Sequence, residues 1–447
     1  MKRYLDVLWP LLAVALVGGA ALLPSTSDPR PEPDLIDVVE SSYACPTGRG
    51  ITVASGQVKA GEQRVIRSGD DTEIAPKATD PGAWSVYSTS VPGVVVTETG
   101  REAGAEGFYS GTAGAAGGGG LIVGRCAPVI EDAWFLGLGS ADRRSSTIRL
   151  ANLSASPAIA DLSLWGPEGQ IDAIDATGIV LDPFEVRRIP VADLAAGEPL
   201  MALRVERRRG VLAASVIDAS TATSSGTEPL EATRAPAKEQ VVPGVTGGTR
   251  GKSLLLFNPG KRTARADVQV IGGDGPFASP GLQDLKVEPG TIRQVAVPAS
   301  AGRGQQGFQV TSDQPISTSI RAAGTDDFLS MEAGLPLDGP ALVPVRLGRA
   351  VTAPRLLLTA PDAAARLTLT AYDASMRELR TADVSLAAST SQVVDTRRVA
   401  AGAAYLVVEA KGTILGAATY SGDGRASSVL LRSVPATIDA PVVTPAE

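Results

Sequence analysis

A chain of 447 residues is too long for one hydrophobic core and implies about three or four folded units. Hydrophobic residues at 44% and charged residues at 20% are globular values, whereas 4% aromatic content is thin for a sugar platform or a base-stacking surface, and a net charge of −7 gives no basic footprint for nucleic acid. The chain has no histidine, which removes Ser/His/Asp and Cys/His nucleophilic sites, histidine bases and the usual zinc ligands, leaving carboxylate, Lys, Tyr or hydroxyl chemistry.

Lys2 and Arg3 precede an apolar run at residues 7–23, so the positive-inside rule leaves the N-terminus in the cytoplasm and exports the rest of the chain. Residues 1–23 are expected to be an uncleaved transmembrane anchor, with cleavage near Gly18, Gly19 and Ala20 as the alternative. The bulk of a single-pass membrane protein would then lie outside the cytoplasm, or be secreted if the anchor is cut. Residues 24–38 are rich in proline and polar residues and read as a spacer.

An N-terminal β region is expected over residues 39–133, holding the two cysteines, Cys45 and Cys126. They are too far apart for a CxxC motif, and in an exported chain they are expected to form a disulfide, two unrelated buried thiols being the alternative. Within this region WSVYSTSVPGVVVTETG, residues 84–100, resembles the last hairpin of a repeat and marks an incomplete or diverged unit.

The stretch LANLSASPAIADLSLWGPEG (150–169) returns without gaps as LFNPGKRTARADVQVIGGDG (256–275), pairing Leu150 with Leu256, Asn152 with Asn258, Ala160 with Ala266 and Asp161 with Asp267. The match continues downstream, and a looser third copy begins at RLLLTAPDAAARLTLTAYDAS. Duplicated units are therefore expected at 134–235, 236–338 and 339–436, followed by a tail at 437–447. Ala160, Leu162 and Leu164 alternate as on a half-buried strand, as do Ala266, Val268 and Val270. Asn258-Pro259-Gly260 and Gly272-Gly273-Asp274-Gly275 supply turns. Roughly 100 residues per copy, about seven short strands and no long helical period predict an all-β chain of tandem antiparallel sandwiches of immunoglobulin-like type behind the N-terminal helix. The returning stretch reads as the opening hairpin of each unit, with structural matched residues.

Candidate chemistry is sparse. The glycine-rich stretch 111–124 lacks the Lys and Ser/Thr of a phosphate loop and reads as a hairpin loop, and FLGLGSAD (135–142) leads into a strand. Arg207, Arg208 and Arg209 form a concentrated positive patch that reads as a hairpin tip or, alternatively, an anion-binding surface. Acidic clusters at 68–73, 172–175 and 324–328 lack calcium-loop spacing and read as surface loops. Trp84, Trp134, Phe135 and Trp165 are expected in sandwich cores, a sugar platform being the alternative. No catalytic residue, cofactor or metal ligand is assigned.

SSYACP with ITVASG, then GRCAPVIEDAWFLG with a tryptophan soon after the second cysteine, then LLLFNPG, resemble a family of exported actinobacterial proteins of unknown function. The resemblance implies tandem β-domains behind an N-terminal anchor and carries over no site. The expected function is a non-enzymatic, membrane-tethered cell-envelope protein, a scaffold or binding rod whose partner is an envelope protein or cell-wall polysaccharide. The alternatives are an envelope carbohydrate-active enzyme using a carboxylate pair and an accessory subunit of an assembly or secretion complex.

Overall fold

The alternating apolar positions become antiparallel strands with one face in a shared core, as in Ala158–Gly166, where Ala160, Leu162 and Leu164 are buried together. The computed structural model describes residues 35–37, 40–47, 51–57, 62–67, 73, 84–87, 93–99, 105–113, 119–221, 225–245, 251–302, 306–324, 327–347, 353–422, 425–434 and 437–439. The anchor and most of the spacer lie outside them. Among the described residues no helix is long and apolar enough to cross a membrane. Asp37–Ala436 form one compact unit, and Leu35–Asp37 pairs with Thr437–Asp439 in a two-stranded sheet of its own.

Four strand sets within the compact unit repeat one topology. Numbering strands within each set in chain order, strands 3-5-1 form one sheet and strands 4-2-6-7 form the sheet packed on it. In the second set the first sheet is Ala158–Gly166, Met201–Arg209 and Asp132–Leu138, and the other is Val186–Pro190, Arg144–Asn152, Leu212–Ser220 and Gly226–Leu230. In the third set strands 5 and 6 are one continuous strand, Gly307–Ala323, which pairs first with Ala264–Gly272 and then with Gly251–Asn258. The N-terminal region follows the same order, with Glu62–Arg67, Gly93–Thr99 and Glu40–Pro46 facing Ser85–Tyr87, Thr52–Gln57, Ala105–Thr112 and Leu121–Arg125. It is a fourth set of seven strands.

Three expectations are corrected. The immunoglobulin order places strands 1-2-5-4 against 3-6-7, whereas here strand 1 pairs with strand 5. The expected hairpin at 84–100 is two strands in different sheets, Ser85–Tyr87 pairing with Thr52–Gln57 and Gly93–Thr99 with Glu40–Pro46. The returning stretch is likewise an arch between the two sheets, not a hairpin. Its matched residues make the arch. The Asn152 side-chain amide donates to the carbonyls of Ser156 and Asp182 at 2.7 and 2.9 Å, and Asn258 repeats this toward Arg262 and Val287 at 2.7 and 3.1 Å. Asp161 accepts the Gly178 N–H at 2.7 Å, as Asp267 accepts that of Asp284 at 2.7 Å.

Cys45 and Cys126 are joined in a disulfide across the first set. The neighbouring position must be glycine, because a Cβ on Gly107 would stand 2.3 Å from Tyr43 and 2.8 Å from the Cys126 sulfur. With the cysteines 81 positions apart in sequence, reduction is expected to lower stability by about 2–4 kcal/mol, seen as a lower denaturation midpoint with reductant than without.

Candidate functional site at the axis of a closed ring

The sets do not follow one another as beads on a rod. The outward face of each 3-5-1 sheet packs on the 4-2-6-7 sheet of the next set. Ala44, Ile66 and Val95 of the first set meet Ala151, Phe184 and Ala213 of the second. Trp134, Trp165 and Ala202 of the second meet Leu255, Phe257 and Ile292 of the third. The third meets the fourth through polar contacts, Gly307 N–H donating to Ser391 Oγ at 3.0 Å and Thr359 Oγ1 to the Pro243 carbonyl at 2.9 Å. The fourth returns to the first, where Trp84 stacks on Tyr405 with ring centroids 5.1 Å apart and Ser110 Oγ donates to the Leu347 carbonyl at 2.7 Å. This closure overturns the rod. Strands such as Gly251–Asn258 bury both faces, Leu254 and Leu256 in their own sandwich and Leu255 and Phe257 against the second set; a rod would leave one face wet.

Closure also corrects the tryptophans. Trp84, Trp134 and Trp165 are buried, but in the seams between sets, while Phe135 is in its own core. Trp134 and Trp165 stack with centroids 5.8 Å apart, and the Arg204 guanidinium lies 5.3 Å from the Trp134 ring.

The seventh strands, Leu121–Arg125, Gly226–Leu230, Phe328–Glu332 and Arg425–Leu430, meet at the centre and pack in cyclic order. They and their neighbours carry a set of buried charges. Glu228, Asp327 and Glu332 are buried, and Arg125 pairs with Glu106 and donates from Nη2 to the Leu430 carbonyl at 2.7 Å. Glu231 accepts the Leu430 N–H at 3.1 Å and lies 3.6 Å from Arg432 Nε. Asp327, expected in a surface loop, instead accepts the N–H groups of Phe328 at 2.9 Å and Ala426 at 3.1 Å.

Burial raises the Glu332 carboxyl to about 8, with Glu231 adding repulsion, and raises Asp327 to about 6. Glu228 is pushed well above the carboxylate range by burial and then by Asp327. Glu228 Oε2 accepts from the Ser427 hydroxyl at 3.0 Å, which opposes the upward shift without overcoming burial.

These shifts fix a pH dependence. A carboxyl whose folded value exceeds its unfolded one contributes stability that is complete below the unfolded value and disappears as pH rises through the folded value. For Glu332 the window runs from 4.5 to about 8, and for Asp327 from 3.8 to about 6. Stability is therefore expected to fall between pH 5 and pH 8.5 by up to about 1.4 kcal/mol per pH unit for each group titrating. Glu332→Gln should flatten the upper part of that slope in urea midpoints measured across the range; an unchanged slope would remove Glu332 from the account.

The positive patch at the second set is distributed along a strand. Arg207 Nη2 pairs with Glu131 at 2.9 Å, Arg208 Nε with Asp161 at 2.6 Å, and Arg209 stands opposite Ile159 in the register. They lie where the chain crosses between sheets, so the segment is an arch, not a hairpin tip. Of the glycine-rich stretch, the described ends are paired, Thr112 opposite Leu121. In the remaining acidic clusters residues 68–72 lie outside the described residues, and Ile174, inside the 172–175 cluster, is 77% exposed. Among the described residues no three His, Cys, Asp or Glu side chains are grouped to hold a metal ion.

The axial charges went unread in the sequence. Their signal is the recurrence of charged and hydroxyl residues in strand-length segments at the end of each copy, GTEPLE, DFLSME and RASSVLLR.

Residues 83–397 match the family described as "Family of unknown function (DUF5719)". The chain belongs to this family. The DUF5719 match begins just before strand 4 of the first set and ends in the fourth. No curated protein matches the chain. Among solved structures, a Thermotoga maritima protein titled "Thermotoga maritima 1070" is 14% identical, covering 22% of this chain and 94% of its own, at a TM-score of 0.18. A calcium-binding mutant of Bacteroides uniformis β-glucuronidase 2 is 11% identical over 43% of this chain and 25% of its own, at a TM-score of 0.12. An anti-sigma factor domain-containing protein from Clostridium clariflavum is 11% identical over 86% of this chain and 99% of its own, at a TM-score of 0.14. At these scores none of the three bears on fold or activity.

Proposed function

We propose that this DUF5719 chain is a non-enzymatic component of the cell envelope, held to the membrane through residues 1–23, whose ring offers its outer loops to an envelope protein or to wall polysaccharide. The observation that carries the reading is where the acidic groups lie. Glu228, Asp327 and Glu332 are inside the ring axis, where Glu228 and Asp327 fasten the second and third sets to the fourth and Glu332 bonds Ser330 of its own strand. Glycoside hydrolysis instead needs two carboxylates across a cleft that admits a sugar. The absence of histidine from the chain supports the same reading.

Crosslinking the full chain in living cells, followed by fractionation, is the test. Recovery in the membrane fraction with a discrete protein or wall polymer attached is the expected result. Recovery in the cytosol overturns the tether. Release of reducing sugar from wall polysaccharide by the purified full chain replaces the reading with that of a carbohydrate-active enzyme.

A further inference from the structure

A hollow of about 520 Å³ opens on the fourth set, lined by Arg346, Asp373, Arg377, Leu379, Arg380 and the Ala401–Gly402 turn. Three arginines against one aspartate leave an excess of two positive charges, in a chain whose net charge is −7. The cations come from two segments, Arg346 from one and Arg377 and Arg380 from the hairpin over residues 365–386, and two of them, Arg346 and Arg380, converge on one turn. Arg346 follows the strand Ala341–Pro344 and donates from Nη2 to the Gly402 carbonyl at 3.0 Å. Arg380, on the strand Glu378–Leu386, donates from Nη1 to the Ala401 carbonyl at 2.6 Å. Gly402 supplies the positive φ of 83° that turns the chain there.

Arg377 belongs to the turn after Ala365–Tyr372 and bonds Asp373 from Nε at 3.0 Å. The same Asp373 carboxylate accepts the N–H groups of Ser375 and Arg377 at 2.9 and 3.0 Å, which sets the turn. The wall is fixed to the ring-closing seam, because the Ala374 carbonyl accepts the Trp84 N–H at 3.0 Å. Each guanidinium has five N–H donors, and the carbonyl bonds of Arg346 and Arg380 use one apiece, so donors remain after both side chains have been oriented. A matching hollow at the seam between the second and third sets is lined by Lys286, Glu288 and Arg293 with Pro167, Pro199 and Leu200, a mixed-charge lining. That hollow has two cations to one carboxylate, against three to one in the fourth set.

We propose that the hollow between Arg346, Arg377 and Arg380 binds a phosphate-bearing ligand. Three guanidiniums lining one hollow, two of them anchored to the Ala401–Gly402 turn, suit a group that presents several acceptor oxygens and close to two charges, and arginine forks match phosphate geometry. The proposal goes beyond the envelope reading and does not depend on it.

The test is calorimetric titration of the full chain in detergent with inorganic pyrophosphate at low salt. Saturable binding is expected, weakened about tenfold by Arg377→Gln and by Arg380→Gln, and lost when both are combined with Arg346→Gln. Arg377→Gln removes only an exposed ion pair, so it should leave the melting midpoint unchanged and isolates binding from folding. Asp373→Asn keeps the turn acceptor and removes the competing charge, and it should tighten binding several-fold. Lys286→Gln, at the mixed-charge hollow, should change nothing. Vesicles of phosphatidylcholine with phosphatidylglycerol form a second arm: binding to pyrophosphate and to these vesicles, both abolished by the triple variant, shows that the phosphate group itself is recognised. Binding to vesicles alone, no binding to pyrophosphate, or a triple variant that binds as the native chain does would each overturn the proposal.

Discussion

Asp218→Ala is expected to lower the stability of the full chain by about 3–5 kcal/mol. Asp218 is fully buried and accepts from Ser146 Oγ at 2.7 Å, from Arg144 Nη2 at 3.0 Å and from Arg321 Nη1 at 2.8 Å. Arg144 belongs to the second set and Arg321 to the third, so one carboxylate neutralises a cation on each side of a seam. Burial already pulls the Arg321 pKa down, and the loss of Asp218 leaves both guanidiniums without their counter-charge. Urea denaturation gives the size of the loss. A further variant separates charge from packing, since replacing Asp218 by Leu and both arginines by Met removes the carboxylate together with both cations and should recover most of the stability. A loss below about 1 kcal/mol for Asp218→Ala would mean that both arginines turn to water instead.

Trp84→Ala is expected to cost about 3–5 kcal/mol and to loosen the ring at its closing seam. The indole is 2% exposed, stacks between Tyr405 and Phe108, and points Nε1 at the Arg346 carbonyl at 3.4 Å. These contacts join the first set to the fourth, so the cavity would lie in a seam and not within one sandwich. Trp84→Phe keeps an aromatic ring and loses the indole N–H, and a cost of about 1–2 kcal/mol is expected. Limited proteolysis of the alanine variant should show the first set released from protection ahead of the other three. Uniform protection would indicate that the remaining seams hold the ring without Trp84.

The repeat made much of each sandwich legible. Asn152 and Asn258 match in the sequence and each clamps an arch, and Asp161 and Asp267 perform one job in two places. What escaped was how the copies meet. Period two assigns one face of a strand to the core, and the other face is then taken as wet. The runs LLLF in Gly251–Asn258 and LLL in Arg355–Ala360 break that assumption by being apolar on both faces, a sign of burial on both sides. The axial carboxylates were hidden for a related reason. An acidic residue in a short segment is normally a surface residue, and only the meeting of four seventh strands takes Glu228, Asp327 and Glu332 out of water. The seam tryptophans show the same limit, since apolar character predicts burial but not the neighbour.

Ring closure also dictates an order of events in time. Trp84 finds the Arg346 carbonyl across 262 positions of sequence, so the first set is made long before the surface that covers it. At a synthesis rate of about 5–20 residues per second that interval is on the order of 10–50 s, during which the apolar side of the first set, Ala54, Trp84 and Phe108, has no native cover. For this chain the hazardous species is an unfinished nascent one with an uncapped face, and its yield depends on what shelters that face until the last strands arrive.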